Sequence, residues 1–184
     1  EIERLQHIGD WPATARLLAA EARAIQAGGA DFLLIGTNTM HKVAPEIEAA
    51  IDIPLLHIAD ATARQLQADG IQRVGLLGTR FTMEQDFYKG RLQEKFGLEV
   101  LVPDAAQRER VHRIIYDELC LGDIREASRA EYLAIISALA DAGAQAVILG
   151  CTEIALLVGE AEAAVPLYDT TAIHAEAAVT LALA

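Results

Sequence analysis

Three observations predict an α/β fold built from two similar parallel-sheet domains with a site in the cleft between them. Apolar runs of strand length alternate with helical stretches along the chain. The runs are continuous, as expected for strands covered on both faces. And one strand-and-corner unit occurs twice.

The elements follow in order. "WPATARLLAAEARAIQAGG" reads as a helix, with Asp10 near its cap, Pro12 in its first turn and Gly28-Gly29 at its end. "DFLLIG" is a strand buried on both faces, "APEIEAAI" a short helix and "IPLLHI" a second strand. "ADATARQLQADG" is helical and "RVGLLG" again a buried strand. The spacing then predicts one helix over "TMEQDFYKGRLQEKFG", a strand at "LEVLVP", and helices over "DAAQRERVHRIIYDELCLG" and "REASRAEYLAIISALADAG". The strand "AVILG", a short helix "EIALLVG", the strand "VPLYD" and a helix through "AIHAEAAVTLALA" close the chain.

The repeat aligns "GADFLLIGTNT" with "GAQAVILGCTE" without gaps. Gly29 meets Gly143, Gly36 meets Gly150 and Thr37 meets Cys151, all at an offset of 114 (151 − 37). Downstream, "IPLLHIADATA" resembles "VPLYDTTAIHA" at an offset of 112 (166 − 54). The expected division places 1–56 with 165–184 in a first domain and 57–164 in a second. Two such domains would set the two glycine corners on one cleft, where the carboxyl ends of parallel strands bind ligands.

Composition excludes several classes of function. A formal net charge of −12 over 184 residues argues against nucleic acid or an anionic membrane as partner. The longest uncharged apolar stretch, between Asp141 and Glu153, is too short to span a bilayer. Two cysteines, Cys120 and Cys151, give no disulfide framework and suit a reducing cytoplasm. The five histidines show no metal-ligand spacing, so no metal is expected. The chain opens at Glu1 without a leading strand, and a preceding segment is expected.

Cys151 follows a buried strand and precedes a short helix, where the helix dipole is expected to lower its pKa and make it a base or nucleophile. A small apolar filler is the alternative. Thr37, Asn38 and Thr39 offer hydroxyls, an amide and backbone N–H groups as a carboxylate cradle, or a polar turn capping the next helix. Thr79 and Thr82 follow a third strand ending in glycine; Thr82 reads as a helix cap, and Thr79 as a cap or a donor to the cleft. Glu153 reads equally as a first-turn helix stabiliser or a catalytic group.

"NTMH" after one buried strand and "GCTEI" after another resemble the aspartate/glutamate racemase family, which is cofactor-independent. The similarity runs along essentially the whole chain, through "GLLGT" and "VPLYDTTAIHA", and is closest to the bacterial broad-specificity branch. The resemblance implies an acidic amino acid as substrate, no cofactor, and acid/base groups on opposite sides of the α-carbon. Cys151 matches the family's second cysteine, Asn38 and Thr39 its carboxylate binders, and Thr152 the residue beside the substrate. Gln6 falls at a further substrate contact. A homodimer is a possible assembly in this family. Where the family has its first cysteine this chain has Thr37, so L substrates are expected to turn over faster than D. A non-catalytic amino-acid sensor, hydantoin racemisation, malonate decarboxylation and maleate isomerisation are the alternatives.

Overall fold

The computed structural model describes residues 1–184, and its strands form two parallel sheets. After helices α1 (Ile2–His7) and α2 (Trp11–Ala27), β1 (Leu33–Leu34) pairs with β2 (Leu55–Leu56). A 3-10 turn at Thr39–Val43 and helix α3 (Ala44–Glu48) connect them. Helix α4 (Ile58–Ala68) then leads into a four-stranded sheet of β3 (Arg73–Gly78), β4 (Glu99–Leu101), β5 (Ala146–Gly150) and β6 (Leu167–Asp169), in the order β4-β3-β5-β6. Between those strands lie α5 (Arg80–Glu84), α6 (Lys89–Phe96), α7 (Ala105–Asp117), α8 (Glu126–Asp141) and α9 (Ile154–Leu157); α10 (Thr170–Ala182) closes the chain. No helix is long and apolar enough to cross a membrane.

Local chemistry explains the expected ends of α2. Asp10 Oδ1 accepts the Ala13 N–H at 3.0 Å, Pro12 occupies the first turn, and the chain leaves through Gly29 at φ 92°. Strand β5, and β3 beyond Arg73, are buried along their length, and their side chains sort by parity. Val74, Leu76, Ala146 and Ile148 enter a core with α4 and α6, while Leu77, Val147 and Leu149 enter another with α7 and α8. Covering both faces is what a parallel sheet requires.

The repeat is physical. Leu33 N–H donates to Pro54 O at 2.9 Å, and at the aligned positions Val147 N–H donates to Pro166 O at 2.9 Å. Gly29 and Gly143 share the left-handed conformation, at φ 92° and 98°. His57 caps α4 by accepting the Ala59 N–H, and its counterpart Asp169 caps α10 by accepting the Thr171 N–H.

Three expectations need correction. "DFLLIG" and "IPLLHI" give strands of two residues each, and Leu34 is 40% exposed, because β1 has one strand partner and a small core beneath it. The helix expected over 82–97 is two helices: the chain is extended at Gln85, which lets Tyr88 turn fully into the core. The closing segment 165–184, expected with the first domain, puts its strand beside β5 in the larger sheet. Its helix α10 still reaches the smaller sheet, where His174 Nε2 lies 2.7 Å from Leu56 O.

An ion cluster around the buried Asp60 fastens α6 to α4. Asp60 accepts from Arg91 Nη2 at 2.9 Å and Lys95 Nζ at 2.6 Å. Burial pushes its carboxyl up, but these two partners win and hold it at about 2. A carboxyl more acidic in the folded chain contributes stability above its unfolded value near 4, which is lost as pH falls towards 2. Acid-unfolding curves should therefore show a stability loss in that window, and Asp60→Asn should remove it.

Candidate active site

The two corners meet in one pocket of about 230 Å³. Its walls include all seven residues expected at the site: Gln6, Thr37, Asn38, Thr39, Thr79, Cys151 and Thr152. Thr37 stands just past β1, and Cys151 just past β5.

Hydrogen bonds tie the corners to each other. Asn38 Nδ2 donates to Thr170 Oγ1 at 3.0 Å, and Thr170 Oγ1 donates to Leu149 O at 2.9 Å, two residues before Cys151. Because the Thr170 proton is committed to Leu149, the Asn38 atom facing it must be the donor nitrogen, which fixes the amide orientation. Asn38 Oδ1 is then a buried acceptor without a partner. An N–H donor such as a ligand ammonium would satisfy it. Thr39 Oγ1 lies 3.0 Å from Thr79 Oγ1, which lies 3.2 Å from Thr82 Oγ1. Thr79, and not Thr82, is the cap of α5, accepting the Thr82 N–H, and it also lines the pocket.

The thiol corrects the sequence reading. Cys151 is half-buried and packs against the larger core, and its Sγ–H donates to Glu153 Oε2 at 2.9 Å. Burial pushes the thiol up, and the adjacent Glu153 carboxylate pushes it further. The expected depression at a helix start is outweighed: the Glu153 backbone N–H at the start of α9 lowers the thiol, but that helix is one turn long, and burial and the carboxylate win. Burial likewise raises Glu153, but donors from Cys151 and from Thr152 Oγ1, at 2.7 Å, bring it below its usual value. At rest, the proton of the pair sits on sulfur.

Three further wall residues, Ile115, Tyr116 and Cys120, were not selected from the sequence, and Glu153, left open between helix stabiliser and catalytic group, lines the pocket beside them. Glu153 carries a usable signal in its spacing of two from Cys151. Tyr116 carries none, since its partner lies 110 positions away: Gln6 Nε2 donates to the Tyr116 hydroxyl at 2.7 Å. The Tyr116 proton is left free to donate to another acceptor. Gln6 and Tyr116 also line a neighbouring pocket of about 580 Å³ that holds Arg80 and Arg113. No lysine, arginine or histidine lines the smaller pocket. No three histidine, cysteine or acidic side chains are arranged to hold a metal ion.

Comparisons with known proteins agree on one relationship. Residues 2–178 match the Asp/Glu/Hydantoin racemase family. The chain is 57% identical to a provisionally assigned Asp/Glu racemase from Yersinia pestis, with a TM-score of 0.94 over 100% of this chain and 80% of that one. It is 32% identical to an aspartate racemase homologue from Pyrococcus horikoshii OT3, with a TM-score of 0.85 over 98% of this chain and 79% of that one. The broad specificity amino-acid racemase RacX of Bacillus subtilis is 26% identical over 156 residues, 85% of this chain and 66% of RacX.

Proposed function

The chain belongs to the Asp/Glu/Hydantoin racemase family, and from that premise we propose that it racemises acidic amino acids without a cofactor, with Cys151 and Thr37 acting on opposite faces of the α-carbon. The observation that carries this reading is that the two residues end repeat-equivalent strands and line one pocket. Inversion needs a proton to leave one face and another to arrive at the other, which two opposed groups supply.

In this reading the Cys151 proton first passes to Glu153 along their hydrogen bond, leaving a thiolate and a neutral carboxyl. The thiolate takes the α-proton of the L substrate and becomes a thiol again. Thr37, directly or through a water it holds, protonates the carbanion from the other side and regains its own proton from Glu153 through solvent. Asn38 Oδ1 receives the substrate ammonium, while the hydroxyls of Thr39, Thr79, Thr152 and Tyr116 and the amide of Gln6 receive carboxylates. Such donors stabilise the charge that develops as the proton departs. Asn38 thus takes a different part from the carboxylate contact that the family resemblance implies.

A threonine hydroxyl is a far weaker acid than a thiol, so the Thr37 face is the slow one. Because L and D are equally stable, kcat/KM must be equal in the two directions. The asymmetry therefore shows in kcat with a matching change in KM, and in proton exchange. A second reading, in which amino acids with neutral side chains are preferred, is favoured by the absence of a cationic side chain from the pocket.

Proton NMR in heavy water tests both. The α-proton signals of L- and D-aspartate, L- and D-glutamate and L- and D-serine would be followed with the purified protein. L substrates are expected to lose the signal with retention, ahead of the appearance of D product, and D substrates to lose it more slowly. Faster exchange of serine than of the acids would select the neutral reading. A folded protein that binds these amino acids but exchanges none would be a sensor, and the racemase reading would fall.

A further inference from the structure

His41 is a buried titratable group that the chemistry above leaves unused. It is 1% exposed and lies outside the reaction pocket. Its Nδ1 sits 2.8 Å from Thr37 O, and its Nε2 accepts the Ile58 N–H at 3.2 Å, at the first residue of α4. An amide N–H can only donate and a carbonyl can only accept. The tautomer is thereby set: the proton is on Nδ1 and Nε2 is bare. One neutral ring thus bridges the Thr37 corner and the start of a helix anchored in the core that α4 and α6 share with the four-stranded sheet.

The surroundings keep that ring neutral and in place. His57 packs against it with centroids 4.3 Å apart, and His174 stands at 6.1 Å. His57 Nδ1 accepts the Ala59 N–H, and His174 is engaged by Leu56 O. Burial, above all, holds His41 down to about 4, with the Thr37 carbonyl opposing and His174 and Arg91 adding to the effect. The second corner has no such bridge. At the offset of 114, His41 corresponds to Ala155 and Thr39 to Glu153. One corner is fixed through its backbone, and the other couples its acid to a neighbouring carboxylate.

We propose that His41 is a positioning residue for the Thr37 face of the reaction, fixing through the Thr37 carbonyl where the Thr37 hydroxyl stands. The proposal rests on the racemase reading. A weak acid must be well placed to reprotonate a short-lived carbanion, and a shift of about 1 Å can cost about 10²-fold in rate. The Cys151 face does not depend on this bridge.

Amide side chains separate the two halves of the bridge. Asn at position 41 can reproduce the Nδ1 donor to Thr37, and Gln can reproduce the Nε2 acceptor for Ile58. The full chain carrying His41→Asn, His41→Gln or His41→Phe would be assayed for two rates with an L substrate: inversion to D, and α-proton exchange with retention. His41→Gln and His41→Phe should lower inversion by about 10- to 100-fold, with exchange within about twofold of the wild type; His41→Asn should invert within about threefold of it. Inversion and exchange falling together, or Asn and Gln behaving alike, would overturn the proposal, as would wild-type inversion in His41→Phe. If His41→Phe does not fold, the Asn and Gln pair decides. A wild-type chain that exchanges no α-proton overturns the racemase reading itself and the proposal with it.

Discussion

Cys151→Ala should abolish α-proton exchange and inversion for every substrate, by at least about 10³-fold, while binding of the amino acid survives. Positioned acid/base groups contribute about 10²- to 10⁴-fold, and in the proposed reaction Cys151 is the base on its face. Cys151→Ser is the sharper variant. The hydroxyl keeps the size of the side chain and can still donate to Glu153 Oε2, which Cys151 Sγ now approaches at 2.9 Å. Serine should nevertheless lose about 10²-fold or more, because its proton is too weakly acidic to pass to a carboxylate. Neither change removes much core packing from a half-buried side chain, so melting temperatures should stay close to that of the wild type. NMR exchange and calorimetric titration with the same amino acid give the two readouts. Exchange that persists in Cys151→Ala would place the base elsewhere.

Gly150→Ala should damage both the fold and the site. Gly150 pairs in register with Gly78 at the carboxyl ends of the two central strands. A Cβ on Gly150 would stand 2.7 Å from Leu77 O, and one on Gly78 would stand 2.8 Å from Gly150 O. Those neighbours are backbone atoms, so relief requires β3 and β5 to part at the residue before Cys151. Overpacking of this kind costs about 1–3 kcal/mol, or roughly 3–10 °C in melting temperature for a chain of this size. Displacement of the sulfur should lower turnover by about 10²-fold. Gly159→Ala is the control: nothing lies within 4 Å of its Cβ position and its φ is ordinary, so its stability should change by less than about 0.5 kcal/mol. Equal melting temperatures for the two variants would refute the clash.

The sequence was most legible where the physics is local. Asp10, Pro12 and Gly29 mark the ends of α2 through neighbours within a few residues, and the continuous runs of β3 and β5 report burial directly. The repeat brought out Thr37, Asn38, Thr39, Cys151 and Thr152 because strand ends and corners are also local features; Thr79 came from a third strand end and Gln6 from the family resemblance, and all seven line one pocket. What escaped depends on partners distant in sequence or on side-chain direction. Leu34 looks like a core strand residue until the single pairing of β1 is known. Tyr116 reaches the pocket through the folding of α7, and nothing near position 116 announces it. The thiol's resting state depends on a carboxylate turning back towards it, where position alone suggested a helix dipole.

The matched bonds from Leu33 to Pro54 and from Val147 to Pro166 bear on more than resemblance. Suppose the same halves met as separate, identical subunits. A twofold axis would then compel both corners to carry the same residue, and any change at one would be a change at both. Joined in a single chain, the halves keep the shared frame yet are free to differ at one position. Thr37 at one corner of the pocket and Cys151 at the other is a left–right distinction that identical subunits could not carry, and handedness is what a catalyst of mirror-image substrates has to tell apart.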